Sequence, residues 1–276
     1  MHTRIVRLAL ALVAAAPLRA QVAEYKAPSG KVYYSLADTA AVATARAALA
    51  ADPRNIQKFI DLGTAQAGAR QMREAVQTFT QALAVDPKNA LLYRWRGHRH
   101  LSMREFDAAL SDFAKGLAID STVYGIWYHL GIVRFVKGDF DGAADAFKRA
   151  LPRAPDPGEL AGSTDWLWMS LARAGKLEEA NGMLARRPDS VKTADPEYGY
   201  TKRLRMYRQE IGPDFLITAS DTADIQMATL AFGRGNWHLA MGDTATARKW
   251  FKKAVASGGW PGFGFIVAEV ELRRTR

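Results

Sequence analysis

Apolar and small residues along this chain recur at i, i+3, i+4 and i+7, the spacing of one face of a helix. Phe59, Leu62, Gly63 and Gln66 share one such face, and Ala75, Val76, Phe79, Ala82 and Leu83 share the next. The pattern then returns. Gly63, Gly97 and Gly131 stand 34 residues apart, as do Ala75, Ala109 and Ala143; Phe79, Phe113 and Phe147; and Leu83, Leu117 and Leu151. Pro53, Pro87 and Pro155 keep the same interval, with Ser121 in the place between the last two. Several columns sharing one period indicate a repeated two-helix unit rather than a biased composition.

Local chemistry marks the limits of that unit. Glycine costs about 1 kcal/mol inside a helix relative to alanine, so its return at one register requires a close helix crossing. The expected neighbours are Ala75, Ala109 and Ala143 on the partner helix. Asp52-Pro53 and Asp86-Pro87 end a helix, because proline rejects helical geometry in its predecessor. Asn55 and Asn89 are then available to cap the next one.

These residues resemble the tetratricopeptide repeat. Its columns are Phe59, Leu62, Gly63, Ala75, Phe79, Ala82 and Pro87 in the first unit. The second has Tyr93, Gly97, Ala109, Phe113 and Gly116, with Arg96 in place of the leucine. The third has Trp127, Leu130, Gly131, Ala143, Phe147, Ala150 and Pro155. Together they cover residues 56–155. The resemblance implies an all-α fold, a right-handed α-solenoid of helix pairs that binds other proteins and catalyses nothing.

Outside those units the match loosens. A degenerate repeat over 159–187 keeps Gly175, Leu177, Ala180 and Leu184, with Trp168 at the glycine position. Residues 188–220 fit no repeat. One helix is expected there, about Pro196 to Glu210, with Tyr200, Leu204 and Tyr207 on one face and Gly212-Pro213 ending it. Gly235, Leu239, Gly242, Ala247, Phe251 and Ala254 resume the pattern within a C-terminal repeat and capping helix over 221–276. Thr39 to Ala50 reads as a lone helix and Phe265 to Arg273 as a terminal one, each shielding an outermost repeat. Residues 21–37 read as a linker to the array of 38–276. GNWHLAMGD followed by WPGFGF resembles bacterial exported repeat proteins.

The first twenty residues read as an address. Arg4 and Arg7 precede an apolar run of about nine residues, then Pro17, Leu18, Arg19, Ala20 and the polar Gln21. That run is far below the roughly 20 residues of a membrane-spanning helix. The alternative is an uncleaved tail. The absence of cysteine removes disulfides, thiolate metal sites and a lipoprotein anchor. A periplasmic or secreted location follows. Three of the basic residues lie in this segment, which leaves 35 basic against 28 acidic residues, about +7 with no basic block. That balance suits a solvated surface rather than a nucleic-acid partner.

The sequence offers no motif for a cofactor. His98 and His100, two apart on a helix, point to different faces and do not share a metal; both read as surface residues. Gly233-Arg234-Gly235 lacks the strand and third glycine of a nucleotide loop. Of the tryptophans, Trp127 reads as core, one of Trp166 and Trp168 as core and the other as partly exposed, and Trp250 and Trp260 as a C-terminal seal. An alternative to the scaffold is an accessory subunit or enzyme with a site in 188–220, built on Asp195, Glu197, Tyr198 and Tyr200.

By the resemblance, positions two, five, nine, twelve and thirteen of each unit face the concave wall. These include Ile60, Thr64 and Ala67 in the first unit, Arg94, His98, Leu101 and Ser102 in the second, and Tyr128, Ile132, Phe135 and Val136 in the third. The lysine and asparagine with which some members hold a terminal carboxylate are replaced here by Ile60 and Thr64. Arg94, His98, Tyr128, Ile132 and Phe135 are therefore the expected binding residues, a basic-aromatic patch for a partner peptide or helix. The export reading has its own test: N-terminal sequencing of the mature protein should begin near Gln21, and intact Met1 or His2 at the terminus would refute it.

Overall fold

The computed structural model describes residues 21–186 and 195–275. The address segment and the start of the irregular stretch lie outside the described residues. The three repeats form as helix pairs: α1 (Ala40–Ala51) precedes α2 (Ile56–Gly68) and α3 (Met72–Val85), α4 (Ala90–Ser102) and α5 (Phe106–Ile119), and α6 (Tyr124–Lys137) and α7 (Phe140–Ala150). α8 (Pro157–Arg173) and α9 (Leu177–Ala185) make the degenerate fourth pair. The irregular stretch holds α10 (Gly199–Tyr207), shorter at both ends than its sequence suggests. α11 (Asp224–Ala240), α12 (Thr244–Ala256) and the terminal α13 (Phe263–Arg274) follow. Consecutive helices pack in order from α1 to α9, and α10 then returns to lie on α8 and α11. The side chains of Asn55 and Asn89 cap α2 and α4 as expected.

The glycine column has a cause, but a different neighbour from the alanines. A Cβ on Gly97 would stand 2.5 Å from the Phe113 ring, and one on Gly131 2.6 Å from that of Phe147. Gly63 faces Phe79 and Gly235 faces Phe251 in the same way. Each phenylalanine thus lies across the first helix of its own unit, in a space that any side chain would fill. Gly233 has the same kind of role, since a Cβ there would collide with Arg203. The Gly-x-Gly segment is helix packing.

The concave wall does not stay open. α13 packs on α11 and α12 and reaches α6. Residues 21–37, expected to link, include two short antiparallel strands, β1 (Ala23–Lys26) and β2 (Val32–Tyr34). Their Tyr25 and Tyr33 pack on Trp260 at ring separations of 5.9 and 6.2 Å. Trp260 is fully buried there, the seal its position suggested, while Trp250 is partly exposed. Trp166 and Trp168 are both fully buried, because α10 and α11 cover the face that would have met solvent. Trp127 is half-exposed, with its indole N–H donated to the Ser121 carbonyl at 2.8 Å.

Arginines at the turns between paired helices help to hold the closure. The turn between the helices of a pair places one residue in the left-handed region: Arg70 (φ 57°), Arg104 (φ 65°), Gly138, Gly175 and Gly242. A non-glycine residue there costs roughly 1–2 kcal/mol. Arg70 and Arg104 are the two that reach across to the C-terminal elements. Arg70 pairs with Asp224 at the start of α11. Arg104 donates to the Trp260 carbonyl at 2.7 Å, pairs with Glu269 of α13 at 3.4 Å, and lies 3.9 Å over the Tyr25 ring. At the other end of α13, Arg274 donates to the Val136 carbonyl of α6 at 2.7 Å.

α10 is fixed by a charge pair buried to zero exposure, Arg203 with Asp165 of α8 at 2.8 Å. Burial pushes the Asp165 carboxyl up to about 7 against the pull of Arg203. Asp165→Leu leaves the guanidinium without a carboxylate and should cost about 3–5 kcal/mol, whereas Asp165→Leu with Arg203→Met should recover much of that loss. Denaturant unfolding of both variants checks it; a double variant no more stable than the single would show that the pair is not what holds α10. For the repeat register, Gly97→Leu must displace Phe113 and should cost about 1–3 kcal/mol or more. Lys115→Leu, at an exposed site, should cost less than about 0.5 kcal/mol. Equal melting shifts for the two would remove the basis of the register.

Candidate functional site

What remains of the concave wall is a cavity of about 330 Å³. Its floor comes from the first helices of units one and two, through Ala67, His98, Arg99 and Ser102. Met72 of α3 and the first turns of α10, α11 and α13 complete it, with Tyr198, Gly199, Tyr200, Ile225, Gln226, Gly262 and Phe263. Ala67, His98 and Ser102 are concave positions read from the sequence. Tyr198 and Ile225 are 38% and 46% exposed, so the lining includes apolar groups that also reach solvent.

The other expected binding residues have a different fate. Ile132 and Phe135 are fully buried and Tyr128 nearly so. Phe135 packs edge-on against Trp166 and Phe232 at ring separations of 5.4 and 6.4 Å. The Tyr128 hydroxyl meets that of Tyr200 at 3.2 Å. These three are core, because α8, α10, α11 and α13 occupy the space that an open array would leave to a ligand. Arg94 is half-buried against the Trp95 ring at 3.8 Å and contacts the backbone edge at Gly125. Burial lowers its pKa to about 10 despite the nearby Glu159.

α4 carries five basic side chains, of which Arg96 and His100 have acidic partners. Arg96, at the repeat's leucine position, makes two hydrogen bonds of 2.8 and 2.7 Å to Asp112 of α5. His100 lies 2.6 Å from Glu105, so it is a paired residue rather than a free surface one. His98 packs at a tilt against the rings of His129 at 4.2 Å and Phe263 at 5.1 Å, and is likewise no free surface residue. Burial, then the charge of Arg99, holds its pKa well below the usual range, so the ring is neutral at pH 7. Its Nδ1 has no partner among the described residues.

Arg94 also has a buried nitrogen, Nη1, with no hydrogen-bond partner among the described residues, but Arg99 lacks the aromatic ring and nearby carboxylate that Arg94 has. Arg99 is 7% exposed and lines the cavity. Among the described residues no hydrogen bond or ion pair reaches its guanidinium, and its Nε is fully buried. Burial, then Arg94, lowers its pKa to about 9. The repeat register did not single it out, because position ten of a unit is not among the concave positions. The available signal was the basic content of α4, but sequence alone does not say which of its charges goes unpaired.

The irregular stretch does not gather carboxylates. Among its described residues Asp195, Glu197, Glu210 and Asp214 are all exposed, and Asp195 accepts the Glu197 backbone N–H at 2.9 Å. Tyr200 is buried and Tyr198 lies at the cavity. No group of three or more His, Asp and Glu side chains that could hold a metal occurs among the described residues. None of the described helices is long and apolar enough to cross a membrane.

The family model for the tetratricopeptide repeat matches residues 60–121 and 96–158. No curated protein matches the sequence. Among solved structures, the chain is similar to the hetero-tetramer Cut9–Hcn1 of APC/C, with a TM-score of 0.52 and 15% identity over 85% of this chain and 38% of that one. It is also similar to a tetratricopeptide repeat protein from Parabacteroides merdae, with a TM-score of 0.48 and 20% identity over 85% and 90% of the two chains. YrrB, described as a TPR protein with an unusual peptide-binding site, gives a TM-score of 0.47 and 17% identity over 79% and 93%.

Proposed function

We infer, for a chain whose repeats over residues 60–158 place it in the tetratricopeptide repeat family, the role of an exported, non-catalytic scaffold. In this reading it works in the periplasm or outside the cell and receives a segment of a partner protein at its concave cavity. The repeat array supports a protein-binding role, since rigid stacked units present a sheltered surface of fixed shape. The observation that carries the location is the cavity between the repeats and the three C-terminal helix starts, with Tyr198 and Ile225 exposed at it. Aromatic and aliphatic side chains set in a concavity are the usual anchors of recognition.

The C-terminal elements narrow what can bind. A long helix laid along the whole inner wall has no room, because that wall is core from Tyr128 onward. A short extended segment or a single inserted side chain fits the space that is left. A photo-reactive residue placed at 198 or 225 should therefore cross-link the partner, while one at the convex position 115 should not. Tyr198→Ala and Ile225→Ala should each weaken binding of the identified partner by about 1–2 kcal/mol. Cross-linking at 115 alone, with both alanine variants binding like the wild type, would move the interface to the convex face.

A further inference from the structure

The cavity has an electrostatic character that a general peptide site does not require. Among the described residues no carboxylate lines it, although it contains the guanidinium of Arg99. Two helices whose starts are uncompensated also begin at it. α10 and α13 each lack a side-chain cap, and neither has an acidic residue in its first turn. Their leading N–H groups and positive dipole ends are thus uncompensated by side chains. Gly199 and Phe263, at the first positions of the two helices, are both in the lining. α11 also begins there, but its first-turn Asp224 already belongs to Arg70. His98 adds an unpaired ring nitrogen. Ala67, Met72, Ile225 and Pro261 give the lining an apolar side, and Ser102, Gln226 and Thr229 add neutral polar groups.

A buried unpaired guanidinium is costly, because burial disfavours the charged form unless a counter-charge is supplied. Nothing on the described protein supplies one to Arg99. We propose that the cavity binds a carboxylate carried on an apolar group, with Arg99 as its counter-ion and the first turns of α10 and α13 as further donors. The guanidinium matches a carboxylate with two parallel hydrogen bonds, and helix starts bind anions through their free N–H groups. The cavity, near the small end of ligand-sized sites, has room for one amino-acid-sized body beside the charge. The proposal rests on the reading that the concave cavity receives a ligand, and it names the chemistry of that ligand.

The carboxylate can end a partner's chain or belong to a free organic acid, and one set of titrations separates the two. The mature protein is titrated calorimetrically with N-acetyl-leucine, N-acetyl-phenylalanine, their neutral amides, and inorganic phosphate. The acids should bind at least about tenfold more tightly than the amides. Arg99→Gln should remove that difference, a loss of about ten- to a hundredfold for a charged hydrogen bond, and Arg99→Lys should retain part of it. If Arg99→Gln does not fold, the acid-amide comparison on the wild type still decides. Equal binding of acid and amide, no binding of either, or phosphate binding as tightly as the acids would overturn the proposal. A six-residue peptide ending in the same free residue should bind more tightly than the acetylated residue if the source is a partner chain, and no more tightly if it is a free acid. In the second case the anion site stands and the protein-docking reading at this cavity fails.

Discussion

An apolar inner wall in the third repeat governs the rest of this structure. Tyr128, Ile132, Phe135 and Val136 occupy register positions that an open array would leave to solvent, and the fully packed chain exposes almost none of their surface. Leaving a large apolar side chain in water forgoes about 1.5–3 kcal/mol of burial, so four together make a strong demand for a cover. α8, α11 and α13 supply it. Once they fold back, Trp166 and Trp168 become core, the N-terminal strands gain Trp260 to pack on, and the groove contracts to a cavity. The closed shape follows from one hydrophobic requirement at the middle of the chain.

The arginines of the helix turns show how that closure is made specific. Apolar burial alone would tolerate some sliding of α13 along α6. Arg104 meets the Trp260 carbonyl, Glu269 and the Tyr25 ring at once, which fixes α13 and the first strand against the same turn. Arg70 does the same for the start of α11. Glycine serves the equivalent turns at 138, 175 and 242, where no such reach is made. The left-handed backbone at the two arginines is thus offset by contacts with the distant half of the chain.

These relations divide what a sequence can and cannot disclose. Gly63, Gly97 and Gly131 announce that space is needed, because a costly residue recurs at one register. They do not announce what fills it, and the occupant is the phenylalanine sixteen residues on rather than the nearer alanine. The closure left no comparable trace. Arg104 and Trp260 meet once, with no period to reveal them, and Arg104 looks in sequence like any surface cation. The same limit applies at the cavity. Ala67, His98 and Ser102 were legible from the concave register, while Tyr128, Ile132 and Phe135 were misplaced because the register describes an open array. Arg99 was missed because its character depends on which neighbours are neutralised.

That neutralisation separates structure from recognition on α4. Arg96 replaces a core leucine and has both oxygens of Asp112, so its charge is satisfied within the fold. His100 has Glu105, and Arg94, though its buried Nη1 has no hydrogen-bond partner among the described residues, lies against the Trp95 ring with Glu159 nearby. Arg99 sits one turn from Arg96 on the same short helix and has none of these. If its role were packing, an unbranched apolar side chain of similar length would fill the space without the penalty of an unpaired buried charge. A purely electrostatic role at the surface would not require burial. A buried cation without a counter-charge, beside two uncapped helix starts and a partly apolar lining, is satisfied by an anion from outside the fold. The closure that removed most of the concave wall from solvent therefore also made the electrostatics of the remainder stronger, because charge interactions weaken less in a sheltered site than in open water.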